Sequence, residues 1–312
     1  MKAVLCTAWG PPEVLRVADV ARPTPRKGQV RIRIVATSVT ASDCIARALA
    51  GPPRLRLLAR LLLGMNAPRR RIFGMVLSGE IESVGRNVRS FKPGDAVFGL
   101  SQWKAGCYAE YVCWSARGML AAKPPNLSHP EAVALPYGGL LALYLLRRAS
   151  IQPGERVLVY GASGAIGTAT VQLAKHFGAT VTGVCSTRNL SLVASLGADR
   201  VLDYTREDFT TGSERYHVIL DAVGKRKSAT AMLGARNALA PGGRVLSIDD
   251  KFPRLRLDDL LLVKRLAESR ALTPVIDRTY VLDEIVEAHR YVEAGHKRGN
   301  VIVTVAVPGA SR

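Results

Sequence analysis

The sequence predicts an α/β protein in two parts: a β-rich, barrel-type domain, then a doubly wound parallel sheet. Three observations lead there. The first 120 residues carry short apolar runs broken by Gly28, Gly79, Gly85, Gly94 and Gly99, a density of turn signals that suits a small barrel. After KPPNLSHPEA the rhythm changes to strand-like apolar runs alternating with helix-like stretches, the pattern of βαβ units. Within that part, RVLVYGASGAIGTATVQLAKHFGA (Arg156–Ala179) sets strand, glycine-rich loop and helix in immediate succession.

The elements follow in chain order. QVRIRIVATSV (Gln29–Val39) alternates polar and apolar residues, as a half-buried strand does. GEIESVG and KPGDAVFG are further short runs closed by glycine. Beyond residue 150, RVLVYG, TVTGVCS, RVLDY, HVILDAVG and GRVLSID read as strands, with TATVQLAKHFG and LSLVASLGA as helices between them. A helix over Leu282–Gly295 and a final strand, NVIVTVAV, close the sequence.

A chain of 312 residues has room for two domains, and its 48% hydrophobic and 22% charged content fits a folded soluble protein. MKAVLCTAWG lacks the apolar core of a signal peptide. The longest apolar stretch, Val133–Leu146, is interrupted by Pro136, Gly138 and Gly139 and is too short to span a bilayer, so a cytoplasmic location is expected. Cys6, Cys44, Cys107, Cys113 and Cys185 are scattered and never spaced as CxxC, which points to reduced thiols rather than a disulfide framework or a zinc lobe.

The net charge of +19 is concentrated early: residues 1–130 hold 20 Lys/Arg against 7 Asp/Glu. The densest cluster, Gly51–Arg71, has six arginines interleaved with leucines and no acid. It reads either as a basic amphipathic helix that meets anionic lipid or a phosphorylated ligand, or as a helix over the edge of a cleft. No aromatic-rich or helix-turn-helix pattern accompanies the charge, so nucleic acid is not an expected partner.

In the glycine loop the GxGxxG frame falls on Ala162, Gly164 and Gly167, with alanine at the first position. Gly164 lets the backbone approach a pyrophosphate, Gly167 lets helix and strand pack closely, and the helix N-terminus offers unpaired amides to the anion. A dinucleotide is therefore the expected ligand. The end of the next strand, VTGVCSTRN, has no Asp or Glu to bond a ribose 2′-hydroxyl. It has Ser186, Thr187 and Arg188, which suit a 2′-phosphate, so NADPH is the expected cofactor, although Arg188 alone could equally be a surface residue.

With these stretches in view, the chain resembles the medium-chain dehydrogenase/reductase superfamily, and within it the zinc-lacking, quinone oxidoreductase-like reductases. The resemblance runs nearly end to end, through MKAVLCTAWGPPEVL, GQVRIRIVATSVTASD, FGMVLSGEIESVGRNVRSFKPGDAVFG, the glycine loop, SLGADRVLDY, VILDAVG, APGGR and GHKRGNVIVTV. It implies a GroES-like catalytic domain over 1–122, a Rossmann cofactor domain over 123–277, and a C-terminal helix and strand, 278–312, returning to the catalytic domain. Zinc-dependent members carry GHExxG where this chain has Gly74-Met75-Val76-Leu77-Ser78-Gly79. Met75 stands at the His ligand, Val76 at the Glu, Thr40 at the Cys of their CxxD motif, and LPYGG near the third ligand. The resemblance thus implies an emptied metal site, which argues against a zinc alcohol dehydrogenase, and hydride transfer to an acceptor already electron-poor: a quinone or an α,β-unsaturated carbonyl. The basic Gly51–Arg71 segment and the shortened C-terminal third leave open a nucleotide-binding sensor or membrane-associated protein without turnover.

The same resemblance assigns roles. It implies that Ser163, Gly164, Ala165 and Ile166 bind the pyrophosphate, that Ser186 and Arg188 face the 2′-phosphate, and that Tyr204 lies by the adenosine phosphate. Val223 and Gly224 of DAVG would line the nicotinamide side. Thr40 replaces an Asn found near the nicotinamide, so its hydroxyl is the leading candidate to touch the substrate carbonyl, unless it is a buried hydroxyl satisfied by backbone. Asp43 reads as a cap for the next helix, and Arg47 as facing substrate or solvent. Enoyl-thioester reductases use a Tyr where this chain reads ARALAGPPR, so no protein proton donor is expected there. The stretch KFPRLRLDDLLLVKRLAESRAL is shorter than in relatives that dimerise through an extra strand, which puts a homodimer in doubt. Substrate-pocket shape would depend on Gly51–Arg71, Ser101–Cys107 and Asp249–Leu257.

Overall fold

A computed structural model describes residues 1–51, 53–102 and 106–305. Trp103–Ala105, within the stretch Ser101–Cys107, Pro52 of the basic cluster, and the last residues of NVIVTVAV lie outside the described residues. The chain forms two compact units, Met1–Pro136 with Ile276–Arg312, and Tyr137–Val275.

In the first unit, β1 (Lys2–Cys6) and β2 (Leu15–Asp19) pair antiparallel. β3 is Gln29–Val39, and its Val30, Ile32, Ile34 and Ala36 are all fully buried, so the alternation in the sequence is the alternation of burial. α1 (Ala41–Ala48) and α2 (Pro53–Leu63) follow, then β4 (Val76–Val84), β5 (Ala96–Leu100), β6 (Tyr111–Ser115) and β7 (Leu120–Ala122). β3 is the spine of the sheet: β4 and β6 both pair antiparallel with it, and two register shifts between β3 and β4 bend the pair. α3 (His129–Val133) packs on β3, β4 and β5 and buries Ala132 and Val133. This packing is why the first unit extends to Pro136 rather than ending near residue 122.

The second unit begins within α4 (Leu135–Ala149), which LPYGG opens and whose Leu140, Ala142 and Leu143 are buried. Its strands are β8 (Arg156–Tyr160), β9 (Thr180–Cys185), β10 (Arg200–Asp203), β11 (Tyr216–Asp221) and β12 (Leu239–Ser247). α5 (Ala165–His176), α6 (Leu190–Ser195) and α7 (Lys225–Met232) connect them. All pairs are parallel, in the order β10-β9-β8-β11-β12, which is the first five strands of the doubly wound pattern. After β12 the chain goes to α8 (Leu257–Glu268), and residues 248–275 contain no sixth strand.

The chain then re-enters the first unit through β13 (Ile276–Val281), α9 (Ile285–Glu293) and β14 (Asn300–Thr304). β14 completes the spine by pairing antiparallel with β3, while β13 runs parallel to β14. Val301 and Val303 of β14 and Ile285, Ala288 and Val292 of α9 join Ile32, Ile34, Leu77 and Val97 in one core. All five cysteines are free thiols, and four are buried.

GMVLSG is the entry to β4. Val76, Leu77 and Ser78 are fully buried, and the Val76 carbonyl accepts a hydrogen bond of 2.7 Å from the Thr37 hydroxyl. Gly74 has φ +92°, and a Cβ there would lie 2.6 Å from the Tyr108 ring. Gly74→Ala therefore combines left-handed strain with overpacking. It should lower stability by about 2–4 kcal/mol, read as a lower urea midpoint at unchanged m-value. A loss below about half a kcal/mol would show that Tyr108 moves aside freely.

Candidate functional site

The carboxyl ends of the parallel strands gather most of the expected residues. β8 leads into Gly161 at φ +78°, and Gly164 is the N-cap of α5 with extended backbone. The Gly161 and Ala162 amides donate to Val184 O, which ties the loop to β9. A Cβ on Gly167 would sit 2.7 Å from Ala162 Cα, so strand end and helix touch backbone to backbone. Ala162, at the first position of the frame, is fully buried, and the absence of a side chain on Gly183 leaves room for its methyl. A Cβ on Gly164 would meet only Gly161 O, at 3.5 Å, so the space in front of Gly164 is open. The first-turn amides of α5, which have no intrahelical acceptor, complete a cradle for an anion.

Ser163 and Ser186 are joined by a residue that sequence reasoning passed over. Asn189 Nδ2 donates to Ser163 Oγ at 3.1 Å and to Ser186 Oγ at 3.2 Å. Asn189 Oδ1 is buried with no hydrogen-bond partner among the described residues. Asn189 thus bridges the glycine loop to the end of β9 and holds an unused acceptor there. The signal was present in STRN, the stretch that also holds Arg188, but nothing in the spacing showed that its side chain turns inward. Arg188 is exposed, in the short 3₁₀ turn Thr187–Asn189.

Tyr204 follows β10, is 54% exposed, and donates its amide to Cys185 O, which sets it beside the end of β9. Its ring lies 6.3 Å from that of Tyr160, at the end of β8. The carboxylate next to this corner is Asp203. It accepts from the Thr187 hydroxyl and from the amide and hydroxyl of Thr205, at 3.0 and 2.7 Å. The Thr187 hydroxyl is the main reason its pKa lies below the ordinary carboxylate value. Asp203 is buried and fully engaged, so it does not replace the acid missing from β9.

The DAVG turn adjoins the same edge. Asp221 Oδ1 accepts from the amides of Val223 and Gly224 at 3.0 and 3.1 Å, and Oδ2 from Ser228 and Ser247 at 2.7 and 2.6 Å. A Cβ on Gly161 would collide with Val223 Cγ2, which places DAVG directly against the glycine loop. Ser163–Ile166, Ser186, Tyr204, Val223 and Gly224 therefore share one edge of one sheet, and Asp221, Ser228, Ser247 and Asn189 shape it.

The two expected catalytic residues lie in the first unit, and both side chains are engaged by neighbours within it. Thr40 is buried and caps α1. Its hydroxyl donates to Asp43 Oδ2 at 2.6 Å and accepts from the Asp43 amide at 3.2 Å, while its own amide donates to Asp43 Oδ2 at 2.9 Å. The hydroxyl expected at a substrate carbonyl is committed to this reciprocal cap. Asp43 does cap the helix. Arg47, expected to face substrate or solvent, is instead fully buried. Its guanidinium donates to Gly10 O and His289 Nδ1, and pairs with Glu293. The reason is position: Arg47 is on the inner face of α1, and its charge is neutralised across the contact with α9.

These burials have electrostatic consequences. Burial pushes Asp43 up to about 6, against the pull of the Thr40 hydroxyl and amide. Burial, and then the Arg47 charge, push His289 down to about 3, so it is a neutral acceptor for Arg47. Burial raises the Cys44 thiol to about 12 and leaves it inert beside His289 Nδ1, at 3.4 Å. Among the described residues, no group of three or more His, Cys, Asp or Glu is placed to hold a metal.

A five-stranded parallel sheet with a glycine loop at its carboxyl edge, joined to a β-rich unit, defines the class: a two-domain dehydrogenase-type α/β protein. Family comparisons match residues 26–125 to the alcohol dehydrogenase GroES-like domain, and residues 165–259 and 252–303 to zinc-binding dehydrogenase models. A 2-methylene-furan-3-one reductase of Solanum lycopersicum is 32% identical, over 97% of this chain and 79% of that one. A quinone oxidoreductase of Sus scrofa is 30% identical, over 81% of this chain and 74% of that one. The solved structure of the quinone oxidoreductase from Coxiella burnetii superposes with a TM-score of 0.84 at 29% identity, covering 98% of this chain and 99% of the other. The chain belongs to the medium-chain dehydrogenase/reductase superfamily, in its quinone oxidoreductase-like branch.

An acid whose folded pKa stands above its unfolded value adds stability below the unfolded value and loses it as pH rises through the folded one. Asp43 should therefore stabilise the fold most below about pH 4, with that contribution gone above about pH 6. Buried His289 slopes the opposite way, so the readout is wild type minus Asp43→Asn. That difference should fall by up to about 3 kcal/mol between pH 4 and pH 7 in chemical denaturation. A flat difference would show that Asp43 is not held out of water.

Proposed function

We propose that this chain is an NADPH-dependent, metal-independent oxidoreductase that reduces quinones or α,β-unsaturated carbonyls. The observation that carries the reading is the edge of the parallel sheet: an open space at Gly164, unused α5 amides, and a β9 end without a free acid. The relatives named as a quinone oxidoreductase and a furanone reductase support the acceptor class. When bound, NADPH supplies a hydride to the electron-poor carbon or oxygen of the acceptor.

The chain's own residues then have positional roles. The Ala165, Ile166 and Gly167 amides bind the pyrophosphate, Asn189 fixes Ser163 and Ser186 against it, and Ser186, Arg188 and Tyr204 receive the adenosine 2′-phosphate. Asp221 holds Val223 and Gly224 at the nicotinamide side. Met75 and Val76 cannot serve as His and Glu do in a zinc site, and Val76 is core, so no Lewis acid is assigned. The Thr40 donor is taken by Asp43, so the proton that completes reduction comes from solvent.

The test is NADPH oxidation, followed in the near ultraviolet on chelator-treated protein with ortho-quinone, para-quinone and alkyl enone acceptors, and NADH as control. Turnover of one acceptor class that survives chelation, with NADPH preferred, is expected. Full loss on chelation, restored by zinc, would reject the metal-independent reading. Arg188→Ala should raise KM for NADPH by about tenfold or more while leaving KM for NADH unchanged. Equal effects on both would show that Arg188 does not read the phosphate. Without a sixth strand beyond β12, light scattering should give a mass near the 33.6 kDa monomer, and a doubled mass would restore the homodimer.

A further inference from the structure

The acid-free segment after α1 takes no part in the site described above. In α2, Leu57, Leu58, Leu61 and Leu62 share one broad face, and their exposures are 59, 52, 55 and 64%. Met65, just past the helix, is 52% exposed as well. Arg56 and Arg60, one turn apart on the other face, are both exposed, as are Arg69 and Arg71 beyond the helix. Within residues 56–63 only Ala59 is partly covered. The helix is held in place at its C-terminal end. Trp9 Nε1 donates to Gly64 O at 2.7 Å, and the Arg69 amide donates to Leu63 O at 2.7 Å.

Four neighbouring leucines left in water form a contiguous apolar surface of the kind that marks an interaction site. We propose that α2 is a docking element for an anionic phospholipid bilayer: its leucine face enters the boundary between headgroups and acyl chains, and Arg56, Arg60, Arg69 and Arg71 meet lipid phosphates. Apolar burial and cationic attraction are the two signals that peripheral anchoring needs, and one short segment carries both. A second copy of the chain fits less well. A two-fold pairing through α2 would press two acid-free arginine clusters together in a protein of net charge +19. A small ligand fits less well again, because the leucines lie splayed along a convex helix rather than around a cavity. Among the described residues no helix is long and apolar enough to cross a membrane, so the contact is peripheral. The proposal is independent of the reductase reading.

Co-sedimentation with phosphatidylcholine vesicles, with and without phosphatidylserine, tests it on the full chain. Binding to the phosphatidylserine vesicles should be about tenfold or more tighter than to neutral ones and should weaken in high salt. Leu58→Ser with Leu62→Ser, and separately Arg56→Glu with Arg60→Glu, should each cost about tenfold or more in affinity. All four side chains are exposed, so circular dichroism and the thermal midpoint should stay at wild-type values. Arg86→Glu with Arg89→Glu makes the same charge change on an exposed turn elsewhere and should retain most of the binding. Equal loss in that control would overturn the proposal, since the whole-molecule charge would then suffice. No difference between the two vesicle types would overturn it too. So would a doubled light-scattering mass reversed by the leucine variant, which would assign the face to a second copy.

Discussion

The cofactor edge depends on the closeness of β8 and α5. At Gly167 the helix meets the end of the strand with no side chain between, and any larger residue would push the two apart. Because they touch, the first-turn amides of α5 stand at the sheet's edge instead of behind a layer of side chains. The same contact sets the loop over β9, where Val184 O accepts two of its amides, and brings Ser163 within reach of Asn189. Alanine at the first position of the frame does no harm, because Gly183 leaves space for its methyl. The glycine that matters most is therefore the third, where the constraint is helix against strand.

The first unit has its own governing constraint, the placement of charge inside it. Asp43 and Arg47, four residues apart on α1, are both buried, and each is compensated by its own set of partners. Asp43 is held by the Thr40 cap, and Arg47 by Gly10 O, His289 and Glu293. Removing one partner would leave a buried charge, so Asp43 fixes the start of α1 while Arg47 ties α1 to α9 and to the turn before β2. Thr40 and Val76, two positions where the resemblance implies metal-site residues in zinc-dependent members, are here given to capping and packing.

Polarity within the chain divides along similar lines. The arginines of β3 pair with glutamates of β4, Arg31 with Glu82 and Arg33 with Glu80, so they are absorbed by the sheet. The arginines of α2 have no acid in their own segment, and Leu57, Leu58, Leu61 and Leu62 beside them are exposed. Net charge alone did not separate these two groups.

Sequence alone determined the features that depend on local periodicity and on backbone needs. The alternation in Gln29–Val39 gave β3 to the residue, because one face of a strand must be apolar to be buried. The strand–loop–helix order gave β8 and α5, and the run SerThrArgAsn marked the end of β9, because those requirements are met within a few residues of chain. Tertiary structure alone decided which side chains are spoken for. Thr40 and Arg47 looked available because their partners, Asp43 in its folded geometry, His289 and Glu293, come from a cap and from a helix more than two hundred residues away. Asn189 was invisible for the converse reason, since its value lies in reaching Ser163 across 26 residues. Helix α3 joined the first unit because it packs on β3 and β4, a contact between distant segments that no local pattern announces.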